Sequence, residues 1–438
     1  MARSITTKGN VLINHGNFSN FPSKPVIQSS NVNSPFVSIL IATYNESLII
    51  NRLMRSCSRL TYQTDKYEII IVDDSDDCTF DLLKNIWQDK IPNLKLIHRH
   101  KRTGWKGGAL NLAIKNINPK SSYALIVDAD ITLQSDILQR FVSHFSNFDS
   151  NGAYVIAIQG YPIPSVYNNN SLYDFSSNNL YHNWVARGID FRLAQRNMIE
   201  FKSKDRMNIP VQITGSLFMI RSDVIKSMRF SNDLTEDWDL TLDLYINTSA
   251  GYTKDNNQSY KTAICKKIIF DPSIVSYAEV TNRLLPYLRQ RIRVSEGHTR
   301  ALRRNLIKIL KSKIPLSNKL EIFLTGLQYL KFLVLFSLII IDCIILLLMT
   351  TTPLDLDISN NIMKISLLIQ IANVFITIGT ISMAIPICQN IRNYNILDLM
   401  YFSFLNLCTM PAIALGSLLG IIRNKGVFYK TDRNAEIL

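Results

Sequence analysis

The segment YALIVDAD, residues 123–130, decides the fold of this chain. Five apolar residues run directly into Asp128-Ala129-Asp130. A short unbroken apolar run is typical of a strand buried on both faces, as in parallel sheets. Open α/β folds bind ligands beyond the carboxyl ends of such strands, and paired carboxylates there suit a divalent cation carrying substrate phosphates. A strand that ends in a solvated turn would explain the same residues, so the neighbouring segments are needed to distinguish the two interpretations.

The surrounding sequence repeats the pattern of strand and helix. Apolar runs at 36–42, 67–72 and 94–97 alternate with helical spacing at 46–60, 79–87 and 107–117, and further strands are predicted at 154–159 and 215–220. This alternation predicts an α/β domain over 35–300, with a mixed, mainly parallel sheet covered by helices on both faces.

Polar residues follow the first two predicted strands. Thr43, Asn45 and Glu46 come after the first, where they could cap the next helix or hold a ligand. Asp73 and Asp74 come after the second, where a carboxylate could accept hydrogen bonds from a nucleobase or simply face solvent. Two strands of one sheet that end in paired acids favour a binding site over coincidence.

Three later motifs add charged groups. The loop RTGWKGGALN, residues 102–111, offers Lys106 to a diphosphate and glycines for close backbone approach, although it is not a Walker P-loop. Glu236 and Asp237 begin an amphipathic segment, where acids favour a helix N-terminus and a carboxylate can serve as general base. Arg291 and Arg293 could neutralise a diphosphate leaving group or belong to a basic surface.

Composition narrows the class of partner. The net charge of +14 indicates an anionic partner. Several of the Lys and Arg residues lie in a segment, 301–325, that precedes a long apolar stretch. This arrangement predicts a basic interfacial segment at a membrane and no nucleic-acid partner. The six cysteines form no CxxC pair, which favours a reducing compartment. Residues 1–34 lack an apolar signal core and are predicted to be a disordered arm.

The C-terminal third is predicted to be a membrane region over 326–422. Spans are predicted near 327–349 and 365–387. The link between them carries Asp355 and Asp357 and no Lys or Arg, so the positive-inside rule places the basic segment in the cytosol. The basic tail, 423–438, is also expected in the cytosol, which favours an interfacial or re-entrant 397–422 broken near Pro411 over a third span. Asp342 inside the first span is either functional or a contact between helices.

The motifs TYNE, VDDS, RTGWKGGALN, DAD, TEDWDL and QRIR occur in the order found in family 2 inverting glycosyltransferases. The chain most resembles the membrane-integrated branch with cellulose, hyaluronan and glucomannan synthases, across most of 35–300. The resemblance implies a GT-A fold, a role in polysaccharide biosynthesis, and Mg²⁺ or Mn²⁺ as cofactor.

The resemblance also implies roles for individual residues. Asp73 and Asp74 would bind the nucleotide base, Asp128 and Asp130 the diphosphate and metal, and Asp237 would be the base, beside Glu236. Residues predicted to bind the nucleotide-sugar also include Thr43, Asn45, Glu46, Lys106, Gln290, Arg291 and Arg293. The acceptor region would comprise Gly215, Ser216 and Trp238, and residues 426–431 loosely resemble the family's cytosolic loop over the nucleotide.

One departure concerns the acceptor. The family's Trp after the second arginine is Val294, and in polymerising synthases that ring stacks on the acceptor sugar. Its loss favours a single addition over processive β-glycan synthesis, unless another residue compensates for Val294.

The prediction is therefore a cell-membrane protein with a cytoplasmic catalytic domain that moves a hexose from a UDP- or GDP-sugar to a glycan or lipid-linked acceptor, with inversion. The rivals are a sugar-phosphate nucleotidyltransferase and a catalytically inactive glycan-binding or scaffold subunit. The sequence does not specify the donor base and sugar, the acceptor or the oligomeric state.

Overall fold

The computed structural model describes residues 34–150, 155–165, 183–248, 267–351, 361–373, 375, 379, 386 and 394–426. Eight strands in this part form one mixed sheet in the order β3-β2-β1-β4-β7-β6-β8-β5. The strands are β1 Phe36–Thr43, β2 Tyr67–Asp73, β3 Leu94–His98, β4 Ser121–Asp128, β5 Ile131–Thr132, β6 Val155–Ser165, β7 Leu217–Arg221 and β8 Lys267–Glu279. The predicted α/β fold is confirmed, with the mainly parallel part in the N-terminal half.

Parallel pairing brings three of the predicted polar strand ends to one edge. β1 pairs with both β2 and β4, so that Thr43 lies opposite Asp73 and Ala42 opposite Asp128. Antiparallel β7 joins β4 on the other side, pairing Val127 with Leu217. The strands therefore deliver their polar ends to one crevice, as expected for an open α/β sheet.

Helices cover both faces of the sheet. They are α1 Ile50–Cys57, α2 Thr79–Leu82, α3 Trp105–Lys115, α4 Ile137–Ser150, α5 Trp184–Gln195, α6 Lys202–Arg206, α7 Ser222–Ser227 and α8 Glu236–Thr248. Alternate side chains of β1 enter different cores, because Leu40 packs with α3 and α8 while Ile39 and Ile41 pack with α1 and α4. The strand's continuous apolar sequence follows from burial on both sides.

Two predicted helices differ in extent. The first begins at Ile50 rather than at 46, because the backbone amide of Glu46 donates to Thr79 Oγ1 at 2.9 Å and residues 46–49 form a turn. The second is α-helical only from Thr79 to Leu82 and widens into a π-helix over Leu83–Trp87. We attribute the first difference to the contact between Glu46 and Thr79, and the second to the burial of Trp87.

The C-terminal helices are α9 Leu284–Lys311, α10 Leu316–Leu327, α11 Leu330–Thr351 and α12 Ile396–Ile422. The predicted domain boundary at residue 300 falls inside α9. Arg300, directly before the predicted basic segment, is buried and pairs with Asp233 at 3.1 Å and with Glu296. Part of the positive charge therefore stabilises the domain's interior instead of facing lipid.

α12 corrects a prediction, because it is one unbroken helix through Pro411. Its buried side chains lie on both sides of the proline, including Phe402, Leu405 and Ile413. Packing along the whole length compensates for the backbone hydrogen bond that proline removes. Two helices of the described chain, 330–348 and 396–422, are long and apolar enough to cross a membrane by length and composition.

α12 packs closely on α9 through two glycines one turn apart. A Cβ atom on Gly416 would lie 2.1 Å from Ser295 Oγ, and one on Gly420 would lie 2.6 Å from the carbonyl oxygen of Glu296. α12 also contacts α5, through the buried pair of Arg187 and Asp398. α12 is therefore part of the packing of the α/β domain.

Asp342 on α11 bonds to a neighbouring helical segment, residues 361–373. Its Oδ2 accepts hydrogen bonds from Ser366 Oγ at 2.6 Å and from Gln370 Nε2 at 3.0 Å. These bonds favour the second prediction for Asp342, a polar contact between helices. The predicted arm 1–34, the link 350–361, much of span 365–387 and loop residues 427–431 lie outside the described residues, apart from Ser34, Thr350, Thr351 and Asn361.

Candidate functional site

One large cavity, of about 1140 Å³, opens at the polar edge of the sheet. Twelve of the sixteen predicted site residues line it: Thr43, Glu46, Asp74, Lys106, Asp128, Asp130, Ser216, Glu236, Asp237, Gln290, Arg291 and Arg293. The cavity continues to the residues of α11 and α12. The sheet edge and the C-terminal helices thus line one cavity.

Lys106 is the centre of the acidic end of the cavity. Its Nζ lies 2.7 Å from Asp128 Oδ1 and 3.0 Å from Glu236 Oε1, and it donates to the carbonyl oxygen of Gly215 at 3.0 Å. The two carboxylates raise the pKa of Lys106 against the opposing effect of burial. Lys106 therefore holds the DAD motif and the EDW motif together.

The loop that carries Lys106 depends on its glycines. A Cβ atom on Gly107 would lie 2.1 Å from the carbonyl oxygen of Ser231, and Gly215, opposite the loop, has φ +73°. Any larger residue at Gly107 would push the loop away from the segment that leads into α8. The glycines of this loop were predicted to allow close approach to a ligand. At Gly107 the close approach is instead to Ser231 of the same chain.

Asp237 has the electrostatics of a general base. Burial, and next the charge of Glu236, raise its pKa to about 7, while Lys106 opposes the shift. Its Oδ1 accepts the backbone N–H of Trp238 at 2.8 Å, which fixes the side chain at the start of α8. A carboxylate with this pKa can take a proton from a substrate near neutral pH.

Asp128 and Asp130 provide two carboxylates at one place. Burial raises the pKa of Asp128, Lys106 opposes the shift, and the charge of Asp130 adds to the increase. Among the described residues, no group of three or more His, Cys, Asp and Glu side chains has the arrangement of a metal site. A pair of acids nevertheless suits Mg²⁺ or Mn²⁺, which commonly bind few carboxylates and complete their shell with substrate phosphates and water.

Asp73 and Asp74 have different environments. Asp74 lines the cavity and accepts hydrogen bonds from Arg99. Asp73 is fully buried behind it, where it accepts bonds from Thr43 and Ser75, both at 2.6 Å, and pairs with His98. Asp73 therefore positions the strand ends, while Asp74 faces the ligand space.

Three other predicted residues also lie behind the lining. Asn45 bridges two loops, accepting from the amide of Asp76 at 2.8 Å. Gly215 contributes its carbonyl group to Lys106. Trp238, predicted for the acceptor region, is buried and stacks on His298, with ring centroids 5.3 Å apart. None of the three belongs to the cavity wall.

The cavity wall includes residues to which the sequence analysis gave no role. Arg102, the first residue of the RTGWKGGALN loop, lies over the ring of Tyr44, 3.4 Å from its centroid, beside Asp74. At the far end lie Arg192, Arg196, Gln212, His298, Tyr329 and Lys331. Helical spacing of Arg192 and Arg196 was the available signal, but charged residues four apart are common on any helix.

Residues 38–226 match the family model described as "Glycosyl transferase family 2". The chain contains a glycosyltransferase family 2 domain. Over 309 residues the glycosyltransferase is 25% identical to a probable glycosyltransferase of Sulfolobus acidocaldarius, covering 69% of this chain and 58% of that protein. Over 113 residues it is 34% identical to a probable glucomannan 4-beta-mannosyltransferase of Arabidopsis thaliana, covering 25% of this chain and 20% of the relative.

Another relative of this glycosyltransferase is a beta-monoglucosyldiacylglycerol synthase of Trichormus variabilis, 36% identical over 113 residues, with 25% of this chain and 24% of the relative covered. The chain thus spans less than two thirds of the length of these curated relatives. A solved mannosyltransferase from Pyrobaculum calidifontis, in complex with GDP-Man and Mn²⁺, shares the fold, with a TM-score of 0.53 and 16% identity. The similarity covers 89% of this chain and 88% of that one.

Proposed function

We propose that this glycosyltransferase moves a hexose from a nucleotide-sugar, UDP- or GDP-linked, to an acceptor hydroxyl with inversion at the anomeric carbon. The observation that carries the proposal is the shared cavity of Asp74, Lys106, Asp128 and Asp237. Those groups supply a hydrogen-bond acceptor for a base, a cation for a diphosphate, and a proton acceptor.

In the proposed reaction Asp237 removes the proton of the acceptor hydroxyl, whose oxygen forms a bond to the anomeric carbon. The bond from that carbon to the diphosphate oxygen breaks at the same time, and its electron pair leaves with the nucleoside diphosphate. A single displacement inverts the configuration. Glu236 keeps the pKa of Asp237 high by its charge, and Lys106 lies where the departing charge develops.

Asp128 and Asp130 would hold Mg²⁺ or Mn²⁺ together with the donor diphosphate, and the ion would supply positive charge to the leaving group. The Mn²⁺ bound with GDP-Man in the structurally similar mannosyltransferase supports this part of the proposal. The nucleoside would lie between Asp74 and the paired Tyr44 and Arg102.

Membrane attachment is part of the proposal, with the catalytic domain on the cytoplasmic side. α11 exposes a run of large apolar side chains, including Ile340, Ile344 and Leu347, and exposed apolar area of this extent is unfavourable in water. The diacylglycerol-linked product named for one relative is consistent with a site beside lipid.

Substitution Asp237→Asn tests the mechanism. The amide keeps the shape of the side chain but cannot accept a proton, so we expect transfer to fall at least about 1000-fold while nucleoside diphosphate binding with Mn²⁺ stays within twofold. Asp223→Asn, at an exposed site on α7, is the matched control and should behave as wild type. Normal turnover by Asp237→Asn would refute the role of Asp237.

Product analysis with a panel of labelled nucleotide-sugars addresses the rival functions. Release of nucleoside diphosphate and a product longer by one sugar is expected, because Val294 leaves the cavity without the synthases' acceptor tryptophan. A long polymer would identify a processive synthase. Pyrophosphate release from a nucleoside triphosphate and a sugar phosphate would identify a nucleotidyltransferase, and no turnover with any donor would favour a scaffold subunit.

A further inference from the structure

The end of the cavity opposite Lys106 is cationic. Four side chains from four elements line this arginine end: Arg192 of α5, Arg196 of the π-helix Arg196–Phe201 that follows it, Arg291 of α9 and Lys331 of α11. A π-helical turn widens the backbone and often occurs at functional positions. The convergence of four cations in one partly buried space needs a compensating negative charge.

Arg291 is the best-defined member of the arginine end. It is 8% exposed, and its Nε and Nη2 atoms have no hydrogen-bond partner among the described residues. Its guanidinium carbon lies 5.2 Å from the ring centroid of Tyr329. Unsatisfied charged donors in a buried site are costly, and they are normally explained by a bound ion or ligand.

The protein supplies little negative charge at the arginine end. Burial lowers the pKa of Arg196, and Glu200 is the carboxylate that opposes this shift. Glu200 is itself bound by Lys204, which also pairs with Glu321 at 2.7 Å. His298, beside Arg291 and Arg196, has its pKa lowered to about 3 and is neutral. The arginine end therefore keeps an excess of positive charge.

The donor diphosphate accounts for the other end of the cavity, so Arg291, which the sequence predicted to bind the nucleotide-sugar, is assigned here to a different anion. Lys106 contacts Asp128 and Glu236, whereas the Arg291 guanidinium lies against the ring of Tyr329. The two ends therefore have different neighbours. A second anionic group, beyond the diphosphate at Lys106, is needed to occupy the arginine end.

The lining next to the arginine end indicates what carries that anion. Phe332 and Leu335 of α11 and Phe402, Leu407 and Met410 of α12 continue the wall of the same cavity. These two helices are the ones long and apolar enough to cross a membrane. A cationic site whose wall continues into apolar side chains suits a phosphate attached to a hydrocarbon chain.

We propose that the acceptor is a sugar linked through phosphate to a lipid, with its phosphate on Arg196 and Arg291 and its hydrocarbon chain between α11 and α12. This inference rests on the proposed function and names its acceptor class. The phosphate anchors the acceptor and is not the nucleophile, because a phosphate is already ionised and needs no base such as Asp237. The reacting group is a hydroxyl of the attached sugar.

Binding of dodecyl phosphate to the full chain in a neutral maltoside detergent tests the arginine end without the reaction. We expect Arg291→Gln and Arg196→Gln each to weaken binding about 10- to 100-fold, the loss expected for a hydrogen bond to a charged group. Arg291→Lys should recover part of the affinity. Arg289→Gln removes the same charge from an exposed position on α9 and should leave binding within twofold.

Two companion measurements show whether the effect concerns the arginine end rather than the nucleotide site, and a lipid-linked rather than a free phosphate. Nucleoside diphosphate binding with Mn²⁺ should stay within twofold in all four variants, and inorganic phosphate should bind at least 100-fold more weakly than dodecyl phosphate. The inference is overturned if Arg291→Gln weakens nucleotide binding and spares dodecyl phosphate, or if inorganic phosphate binds equally well. Wild-type protein that binds dodecyl phosphate but transfers no sugar would sink the proposed function alone.

Discussion

Lys106 is the residue on which the acidic end depends. It pairs with Asp128 and Glu236 and donates to Gly215, so one ammonium group balances two motifs that are 108 residues apart in sequence. A positive charge in this position lowers the cost of keeping several carboxylates close together. Burial, together with the remaining repulsion from Glu236, keeps the pKa of Asp237 above its ordinary value.

Substitution Lys106→Met should therefore change the pH dependence of transfer as well as its rate. Without the ammonium, the pKa of Asp237 and that of Asp128 rise further, and the acid limb of kcat/KM moves to higher pH. We expect donor affinity to fall at least tenfold and the limb to shift upward by about one pH unit. Lys115→Met, on the same helix and away from the cavity, is the control. An unchanged limb would contradict the coupling.

The wild-type pH profile follows from the same group. Asp237 must be ionised to accept a proton, so kcat/KM should rise with pH and level off above about pH 7. A bound divalent cation near Asp128 favours the ionised form, so the value of about 7 is an upper bound for the assay with metal. A profile that falls between pH 5 and pH 7 would exclude Asp237 as the base.

Asp237 also makes a stability prediction with a definite sign. Its folded pKa is raised from 3.8 to about 7, so the folded state binds more protons than the unfolded state between those values, and stability falls as pH rises through that window. Asp237→Asn removes this loss. In EDTA and without donor, we expect its Tm to exceed that of wild type at pH 8 and the difference to shrink towards pH 4. Equal Tm differences at both pH values would contradict the assigned cause.

At the residue scale, the sequence predicted which residue types form the site better than it predicted which of their side chains line the cavity. Asp128, Lys106 and Asp237 were identifiable because their types and order form motifs. Asp73 and Trp238 belong to the same motifs, yet they pack behind the wall, because a strand or helix presents neighbouring residues to different sides. The residues of the arginine end come from three distant segments, so no local pattern could have grouped them.

At the scale of elements, the decisive contact is that between α9 and α12. At Gly416 and Gly420 the backbone of α12 lies so close to α9 that a side chain would not fit between them. The same face of α9 carries Arg291 and Ser295, so the spacing of the two helices sets the position of part of the cavity wall. Small residues one turn apart are a common solution for close helix packing.

Gly420→Val should separate these helices. The added side chain meets the carbonyl oxygen of Glu296 and the Cβ of Thr299, so we expect a Tm lower by several degrees and transfer reduced at least tenfold. Gly379→Val is the matched control, because no described residue lies within 4 Å of a Cβ atom at that position. If the two variants unfold at the same temperature, the close contact does not contribute to stability.

The elements show where pattern-based prediction succeeds. Continuous apolar strands such as β1 and β4 were located to within two residues, because burial on both faces leaves a strong signal. The break expected at Pro411 was wrong. Local propensity opposes a helix there, and only the tertiary packing of Phe402 and Ile413 on either side overrides it.

At the scale of the whole molecule, the glycosyltransferase domain extends further along the chain than its motifs. α12 buries Asp398 against Arg187 and Phe402 against Phe191, which belong to the middle of the catalytic domain. The motif region alone, 35–300, leaves those surfaces uncovered. Composition suggested a simple division into a catalytic part and a membrane part, and the packing of α12 does not follow that division.

Truncation after residue 325 should consequently damage the catalytic domain itself. It leaves Arg187 without its buried partner and exposes the faces of α5 and α9 that α12 covers. We expect the truncated chain to lack a cooperative thermal transition by circular dichroism in the same detergent that gives one for the full chain. A soluble truncation that binds nucleotide with wild-type affinity would show that the domain is complete without α12.

The late position of α12 has a consequence for how the protein is made. Asp398 follows Arg187 by 211 residues, so at roughly 5–20 residues per second the ribosome takes about 10–40 s to supply the partner. Throughout that interval the apolar faces of α5 and α9 are not covered by α12. The nascent sheet domain of this enzyme is therefore exposed to aggregation until α12 has been synthesised.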